Sequence, residues 1–137
     1  MEKFKGMMTS LSTDWATPKW LYDKLNEEFK FNFDPCPLKN PGNIDGLNCE
    51  WGSRTFVNPP YGRTIKEWIK KCYLESLRGR LVVALLPSRT DTYWWHTYVM
   101  KADEIRYIKG RLKFGGSKNS APFPSCVIVF KPKEDYD

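Results

Sequence analysis

The stretch LVVALL at residues 81–86 decides the fold class, because it is an uninterrupted apolar run between Arg80 and Pro87. Such a run is typical of a strand that is buried on both faces, as in a parallel sheet covered by helices. From Thr64 to about Leu77, apolar residues recur at i, i+3, i+4, i+7 and i+8, which predicts an amphipathic helix. The TFV run at 55–57 predicts another strand. A strand, a helix and a strand in this order indicate an α/β fold.

The segments on either side predict further elements. A helix is expected from Thr17-Pro18 to about Phe29, because a hydroxyl N-cap followed by proline suits a helix start. The alternating FKFNF at 29–33 predicts a short strand. We also expect an ordered loop at residues 38–54 and a helix at 91–101. Two further strands are expected at 104–114 and 126–131. The last two strands are expected to form an antiparallel hairpin at the edge of the sheet.

The composition favours one folded domain over residues 1–137. Hydrophobic residues make up 41% and aromatic residues 15% of the chain, too much for a disordered protein. There is no apolar run near the roughly 20 residues that cross a bilayer, and no signal peptide, so we expect a cytoplasmic protein with no membrane partner. The four cysteines form no CxxC pair and there is one histidine, so we expect reduced thiols, mostly in the core, and no metal site.

The charge is concentrated in the second half of the chain. Residues 62–137 hold 15 basic and 8 acidic side chains, a net charge of +7, whereas residues 1–61 have a net charge of −1. Lys and Arg bind polyanions by displacing counterions from phosphates, which points to a nucleic-acid partner. A solubilising surface is an equally good explanation of the charge alone.

Asn58-Pro59-Pro60-Tyr61 is the sharpest chemical signal, because it follows a predicted strand, where ligands of open α/β sheets bind. A planar exocyclic amine is a poor nucleophile, and two acceptors on its N–H bonds favour the more tetrahedral nitrogen that attacks a methyl group. The Asn58 side-chain oxygen and the Pro59 carbonyl can be those acceptors, and the prolines hold that carbonyl in place. Tyr61 offers a face on which an extruded base can stack. The alternative is a simple proline turn after a strand.

An ordered series of motifs along nearly the whole chain resembles the phage-type DNA N6-adenine methyltransferases, the Dam family. The motifs are WATP at 15–18, FDPCP at 33–37, DGL at 45–47, NPPY at 58–61, LPSRTDT at 86–92, GRLKF at 110–114 and APFPS at 121–125. The resemblance implies a compact Rossmann-like α/β fold that uses S-adenosylmethionine, with a mixed sheet, helices on both faces and a C-terminal antiparallel hairpin.

The resemblance also implies a cofactor site and a catalytic motif. The expected cofactor-binding residues are Trp15, Thr17, Pro18, Asp34, Pro35, Asp45 and Asn58, and the expected catalytic residues are Asn58, Pro59, Pro60 and Tyr61. A carboxylate at the end of a strand, Asp34, suits the ammonium group of the cofactor. Asp34 and Asp45 could instead be turn or capping residues.

The expected partner is double-stranded DNA, whose target adenine would be flipped out of the helix. The expected DNA-binding residues are Arg63, Arg89, Lys109, Arg111, Lys113 and Lys118. A structural ion pair is the alternative for Arg89, and a solvated hairpin is the alternative for the basic segment after it. The pair Trp94-Trp95 is expected to be core packing rather than a base platform. Both a monomer and a homodimer remain open.

Two other functions remain open at this point. One is methylation of another planar amine, in DNA cytosine, RNA adenine or protein glutamine. The other is a nucleic-acid-binding module that has lost catalysis. The FDPCP motif, which stands in the place of the family's cofactor-binding first motif, lacks the glycines that usually let the backbone approach the cofactor. From the length of the chain we expect no separate target-recognition domain. Site-specific recognition of DNA would then come from loops 38–54 and 115–125 or from a second subunit.

Overall fold

The computed structural model describes residues 16–115 and 119–134. In chain order, the elements of this part are helix α1 (Lys19–Phe29), strand β1 (Arg54–Val57), helix α2 (Ile65–Leu77), strand β2 (Leu81–Pro87), helix α3 (Tyr93–Thr97), a 3₁₀ turn (Val99–Lys101), strand β3 (Glu104–Tyr107) and strand β4 (Ser125–Phe130).

The four strands form one mixed sheet in the order β1-β2-β4-β3. Strands β1 and β2 are parallel, and Val57 pairs with Ala84. Strand β4 is antiparallel to both of its neighbours, β2 and β3. The mixed sheet predicted from the sequence is therefore confirmed, and so is the antiparallel pairing of the last two strands.

Helices α1 and α2 cover opposite faces of this sheet. Phe56 of β1 and Phe130 of β4 pair with residues that are neighbours along β2, so their side chains point to opposite faces. The ring of Tyr22 in α1 meets Phe56 at a centroid distance of 5.2 Å, and Tyr73 in α2 meets Phe130 at 6.3 Å. Helices on both faces explain why all of β4, and β2 from residue 82 to 87, are buried.

Three predicted elements are corrected by the structure. The expected strand at 29–33 is wrong apart from one bridge between Phe33 and Thr55, because α1 continues through Phe29 and ends at Lys30 in a left-handed conformation. The expected strand at 104–114 ends at Tyr107. The expected helix at 91–101 is a short α-helix followed by a 3₁₀ turn.

The hairpin also lies differently from its predicted position. Only β3 is at the edge of the sheet, because β4 lies between β3 and β2. Gly110 has a positive φ of 76° and takes the chain out of the sheet after β3. Beyond it, Leu112 and Phe114 are buried outside any strand, which explains why their alternation with polar residues resembled one.

Several absences can be stated for the part of the chain that the structure describes. None of its helices is long and apolar enough to cross a membrane. It contains no group of three or more His, Cys, Asp or Glu side chains arranged to hold a metal ion. The four cysteines form no disulfide; Cys72 and Cys126 are buried, and Cys36 and Cys49 are partly exposed.

Candidate active site

Three chain segments end side by side at one edge of the sheet. Because β1 and β2 are parallel, Asn58 after β1 and Ser88 after β2 emerge at the same edge. The bridge from Phe33 to Thr55 is also parallel, so Asp34 lies beside β1 at that edge. This is the edge at which open α/β sheets bind their ligands.

A cavity of about 430 Å³ opens there. Its lining includes three residues that the sequence predicted for the cofactor, Thr17, Asp34 and Asn58, although they come from separate segments. Tyr22 of α1 and Phe56 of β1 add aromatic surface to the wall. The cavity therefore combines the carboxylate of Asp34, polar groups and an aromatic wall, together with Lys19, whose ammonium pairs with Asp23 at 2.6 Å.

The side chain of Asn58 is held by Thr17 across the cavity. The Asn58 Nδ2 donates a hydrogen bond of 3.0 Å to the Thr17 hydroxyl oxygen. Thr17 is fixed in turn, because Ala16 before it accepts a 2.9 Å hydrogen bond from the Gly115 N–H and Pro18 after it begins α1. The amide of Asn58 is thereby tied to two distant parts of the chain, and its Oδ1 is buried.

Asp34 is a half-buried carboxylate in the same cavity. Its Oδ1 accepts a 2.8 Å hydrogen bond from the Cys36 backbone N–H, as in an Asx turn. Burial raises the pKa of Asp34, although this hydrogen bond acts in the opposite direction. Among the residues that the structure describes, no lysine or arginine forms an ion pair with it.

The other predicted cofactor residues are placed differently. Pro18 is buried at the start of α1, and Pro35 lines a neighbouring cavity of about 400 Å³. Asp45 also lines that neighbouring cavity, where its carboxylate accepts a 3.0 Å hydrogen bond from Asn48. The turn role that is the alternative for Asp45 is therefore present. Trp15 lies outside the described residues.

Tyr61 is the predicted catalytic residue whose placement differs most from expectation. Its ring is 5% exposed and packs edge-on against Phe114 and Phe123, with centroid distances of 6.5 and 5.6 Å. Its hydroxyl donates a 3.1 Å hydrogen bond to the Leu85 carbonyl. In this conformation Tyr61 is a packing residue, so the predicted stacking on a base needs the ring to be uncovered. Pro59 is buried as well, and Pro60 lines the 430 Å³ cavity.

A second cavity, of about 450 Å³, lies on the other side of the same motif. Tyr61 and Gly62 line it, together with Arg63, Arg89 and Trp94. Both arginines belong to the residues predicted to bind DNA, and both are exposed. Arg89 forms no ion pair within the described residues, so the structural alternative for it is not seen.

The other predicted DNA-binding residues follow β3. Lys109, Arg111 and Lys113 are exposed. Leu112 and Phe114, which alternate with the last two of these cations, are buried. The segment thus presents its cations to solvent and its apolar residues to the core. Lys118 lies outside the described residues. Trp94 and Trp95 are 7% and 3% exposed, which confirms the expected core packing.

Among the residues of the 430 Å³ cavity that sequence reasoning missed are the two aromatic ones, Tyr22 and Phe56. Tyr22 follows Leu21 on α1 and belongs to none of the motifs, and Phe56 is an ordinary apolar residue of a short strand. Their role depends on α1 packing over β1, which local sequence patterns do not reveal. The pKa of the Tyr22 hydroxyl is raised by burial and, to a smaller extent, by Asp34.

Comparison with known proteins gives a consistent result. A family model described as DNA N-6-adenine-methyltransferase (Dam) matches residues 7–136. A DNA N-6-adenine-methyltransferase from Haemophilus phage HP1 (strain HP1c1) is 28% identical over 153 aligned residues, which cover 95% of this chain and 88% of that protein. A target of rapamycin homolog from Caenorhabditis elegans is 30% identical over 92 residues, 66% of this chain but 3% of that protein, too small a share to bear on function. No solved structure matches the chain.

Proposed function

The chain belongs to the DNA N-6-adenine-methyltransferase (Dam) family, and we propose that it transfers a methyl group from S-adenosylmethionine to adenine N6 at the carboxyl edge of its sheet. The observation that carries this proposal is the meeting of Thr17, Asp34 and Asn58 in one cavity. We further propose that residues 1–137 form a single Rossmann-like domain. The parallel pair β1 and β2, joined through α2, supports that fold.

The cavity suits a cofactor of this kind in size and in chemistry. Its volume of about 430 Å³ falls within the range of small-molecule sites, roughly 300 to 1,000 Å³. Asp34 is a half-buried carboxylate that forms no ion pair within residues 16–115 and 119–134, and burying such a charge is costly unless a cation meets it. An ammonium or sulfonium group satisfies that requirement, and the aromatic wall of Tyr22 and Phe56 suits a flat ring.

The residues divide the work of transfer between them. S-adenosylmethionine, when bound, supplies an electrophilic methyl group on a positively charged sulfur. Asp34 holds a cationic group of the cofactor, and Thr17 steadies the amide of Asn58 through the 3.0 Å hydrogen bond. Asn58 Oδ1 and the Pro59 carbonyl accept the two N–H bonds of the adenine amine, which makes its nitrogen more nucleophilic. No base acts before attack, because the amine becomes acidic only once it is methylated.

The target adenine reaches these groups only after part of the site opens. Asn58 Oδ1 is buried, and the ring of Tyr61 is covered by Phe114 and Phe123. We propose that binding of DNA moves the segment around Phe114, which uncovers Tyr61 for stacking on the flipped base. Such rearrangements on binding are common among enzymes that close around a substrate.

We propose that the exposed cations after β3 contact the DNA backbone. Lys109, Arg111 and Lys113 point away from the core on a segment whose next residue, Phe114, touches Tyr61. Contacts to phosphates fix the position of a protein on DNA without reading its sequence. This basic segment therefore holds DNA next to the motif that acts on the base.

The alternatives left open by the sequence are less well supported. Family membership favours DNA adenine over cytosine, RNA or protein as the methyl acceptor. A module without catalysis would have no use for an Asp34 that is half-buried and not neutralised by a basic side chain. The net charge of +7 over residues 62–137 also fits a nucleic-acid substrate.

The test is the transfer of radiolabelled methyl from S-adenosylmethionine to unmethylated double-stranded DNA, followed by nucleoside digestion and chromatography. We expect label in N6-methyladenine and a rate at least a hundredfold lower in Asn58→Ala, as for the loss of a preorganised acceptor or donor. Binding of S-adenosylhomocysteine by Asn58→Ala should stay within a few-fold of wild type.

Single-stranded DNA and RNA of the same base sequence are the matched substrates. Label in another nucleoside or in RNA alone would overturn the proposed substrate. An unchanged rate in Asn58→Ala would overturn the proposed mechanism while leaving the activity in place.

A further inference from the structure

The segment from Asn58 to Gly62 separates two cavities that differ in their charged lining residues. Asn58 and Pro60 line the 430 Å³ cavity, whose carboxylate is Asp34. Tyr61 and Gly62 line the 450 Å³ cavity. The first is also lined by Lys19, which pairs with Asp23, so Asp34 remains for a cationic group of the cofactor. Among the described residues, those that line the second include no acidic residue.

Two arginines give the second cavity its charge. Arg63 follows the catalytic motif and Arg89 follows β2, so they reach one cavity from different segments. Both are exposed, and neither forms an ion pair among the residues that the structure describes. Two guanidinium groups that line one cavity without an ion-pair partner in the described part of the chain suit an anion, because guanidinium matches the geometry of phosphate oxygens.

The fold adds a further positive contribution at this place. Ile65, the first residue of α2, also lines the cavity. The amino end of a helix carries a partial positive charge, and α2 has 13 residues. Trp94 completes the wall with an indole ring that is 7% exposed. The cavity therefore combines an apolar side with convergent positive charge.

We propose that this cavity, with Arg63 and Arg89, binds a phosphodiester of the strand that carries the target adenine. It lies directly beside Tyr61, so a phosphate held there places the adjoining nucleotide at the motif. The inference rests on the proposed function, in which DNA is the substrate. It adds that this cavity recognises a phosphodiester of that DNA. The basic segment after β3 holds DNA more generally, whereas the two arginines hold the strand at the reacting nucleotide.

The test compares Arg63→Gln, Arg89→Gln and the double variant with wild type in binding a defined 30-base-pair duplex that the enzyme methylates, over a range of salt concentrations. We expect the double variant to raise the Kd about tenfold at 0.15 M salt. Its slope of log binding constant against log salt should be smaller by about 0.9 for each phosphate that the variant no longer neutralises. Affinity for S-adenosylhomocysteine should stay within twofold, which reports that the fold and the first cavity are intact.

Two controls make the result specific. Lys24→Gln removes an exposed cation from α1, on the other face of the sheet from α2, and should leave the Kd and the slope unchanged. The second control replaces single phosphates beside the methylated adenine with neutral methylphosphonates. One such replacement should weaken binding by wild type and have no further effect on the double variant.

Three outcomes would overturn the inference. One is an unchanged Kd and salt slope in the double variant, and another is an equal penalty from every methylphosphonate in both proteins. The third is a loss of affinity for deoxyadenosine monophosphate in the double variant with no loss of affinity for the duplex. The ligand of this cavity would then be a free nucleotide. A failure of the proposed function is seen in a separate experiment. It would appear as no labelled N6-methyladenine from the wild-type protein, or as an undiminished yield of it from Asn58→Ala.

Discussion

Two buried carboxylates at opposite edges of the sheet are treated very differently by this fold. Glu75, near the end of α2, is fully buried and contacts three cations, Lys71, Arg78 and Arg80, at 3.0 to 3.2 Å. Asp34, at the carboxyl edge, is half-buried and accepts a backbone hydrogen bond from Cys36, and no basic side chain of the described segments pairs with it. The charge of Glu75 is neutralised within the protein, whereas under the proposed function that of Asp34 meets a cationic group of the cofactor.

The difference separates a carboxylate that stabilises the fold from one that serves a site. A buried ion pair that loses one partner leaves the other charges uncompensated, so Glu75 and its cations depend on one another. Burial without a cation raises the pKa of Asp34, which is a cost that the folded protein carries at neutral pH. Residues that weaken the fold in this way are concentrated at functional sites.

The largest effect that this comparison predicts is on stability, at Glu75. Glu75→Gln keeps the size of the side chain and removes the charge that Lys71, Arg78 and Arg80 share, so the free energy of unfolding should fall by about 3 kcal/mol. Urea unfolding followed by circular dichroism measures it. The affinity for S-adenosylhomocysteine at temperatures where the variant is folded should not change. A stable variant with weakened binding would reverse the roles of the two carboxylates.

The next effect is on binding, at Asp34. Asp34→Asn keeps the oxygen that accepts the Cys36 N–H and removes the charge, so affinity for S-adenosylhomocysteine should fall at least tenfold. Stability at neutral pH should be unchanged or slightly higher, because a charge with a raised pKa has been removed. Isothermal titration calorimetry and urea unfolding give the two values. A large loss of stability together with binding would mean that Asp34 is structural.

Much of the fold on which this comparison depends could be predicted from the sequence. The predicted bounds of α1 and α2 lie within about two residues of those observed, because the apolar periodicity marks both helices. The expected hydroxyl cap of α1 is wrong, since the N-cap residue is Pro18 and the Thr17 hydroxyl accepts a hydrogen bond from Asn58 instead. The apolar run of β2 indicated burial on both faces. The length of β3 could not be predicted, because Leu112 and Phe114 are buried by packing that is distant in sequence rather than by strand pairing.

The site was predictable where it follows directly from strand ends. Asp34 follows the parallel bridge between Phe33 and Thr55 and Asn58 follows β1, so their meeting follows from the topology around β1. The covering of Tyr61 by Phe114 and Phe123 could not be inferred, because the three residues lie far apart along the chain. The contrast between Asp34 and Glu75 was also invisible, since it depends on which cations the fold brings near.

The pH dependence of cofactor binding gives a smaller effect that sharpens the comparison. Burial raises the pKa of Asp34 above its ordinary value of 3.8, so its negative charge is lost at a higher pH than in an exposed aspartate. Affinity for S-adenosylhomocysteine should be constant near neutral pH and should fall as the pH drops through the raised pKa. The total loss of affinity at low pH cannot exceed the loss that Asp34→Asn causes at neutral pH. Asp34→Asn is also the control, and its affinity should not change over the same range of pH. Calorimetric titrations from pH 8 down to the lowest pH at which the protein stays folded measure it.

The smallest effect is expected at Glu50, an exposed carboxylate next to the ion pairs of Glu75. Arg80 also pairs with Glu50 at 3.2 Å, but the Glu50 side chain is 83% exposed. Exposed ion pairs contribute little, because water screens them and their side chains lose freedom, so Glu50→Gln should lower the free energy of unfolding by about 0.5 kcal/mol or less. Urea unfolding of Glu50→Gln beside Glu75→Gln tests this directly. Equal losses in the two variants would mean that the number of ion pairs, rather than their burial, sets the stability of this edge.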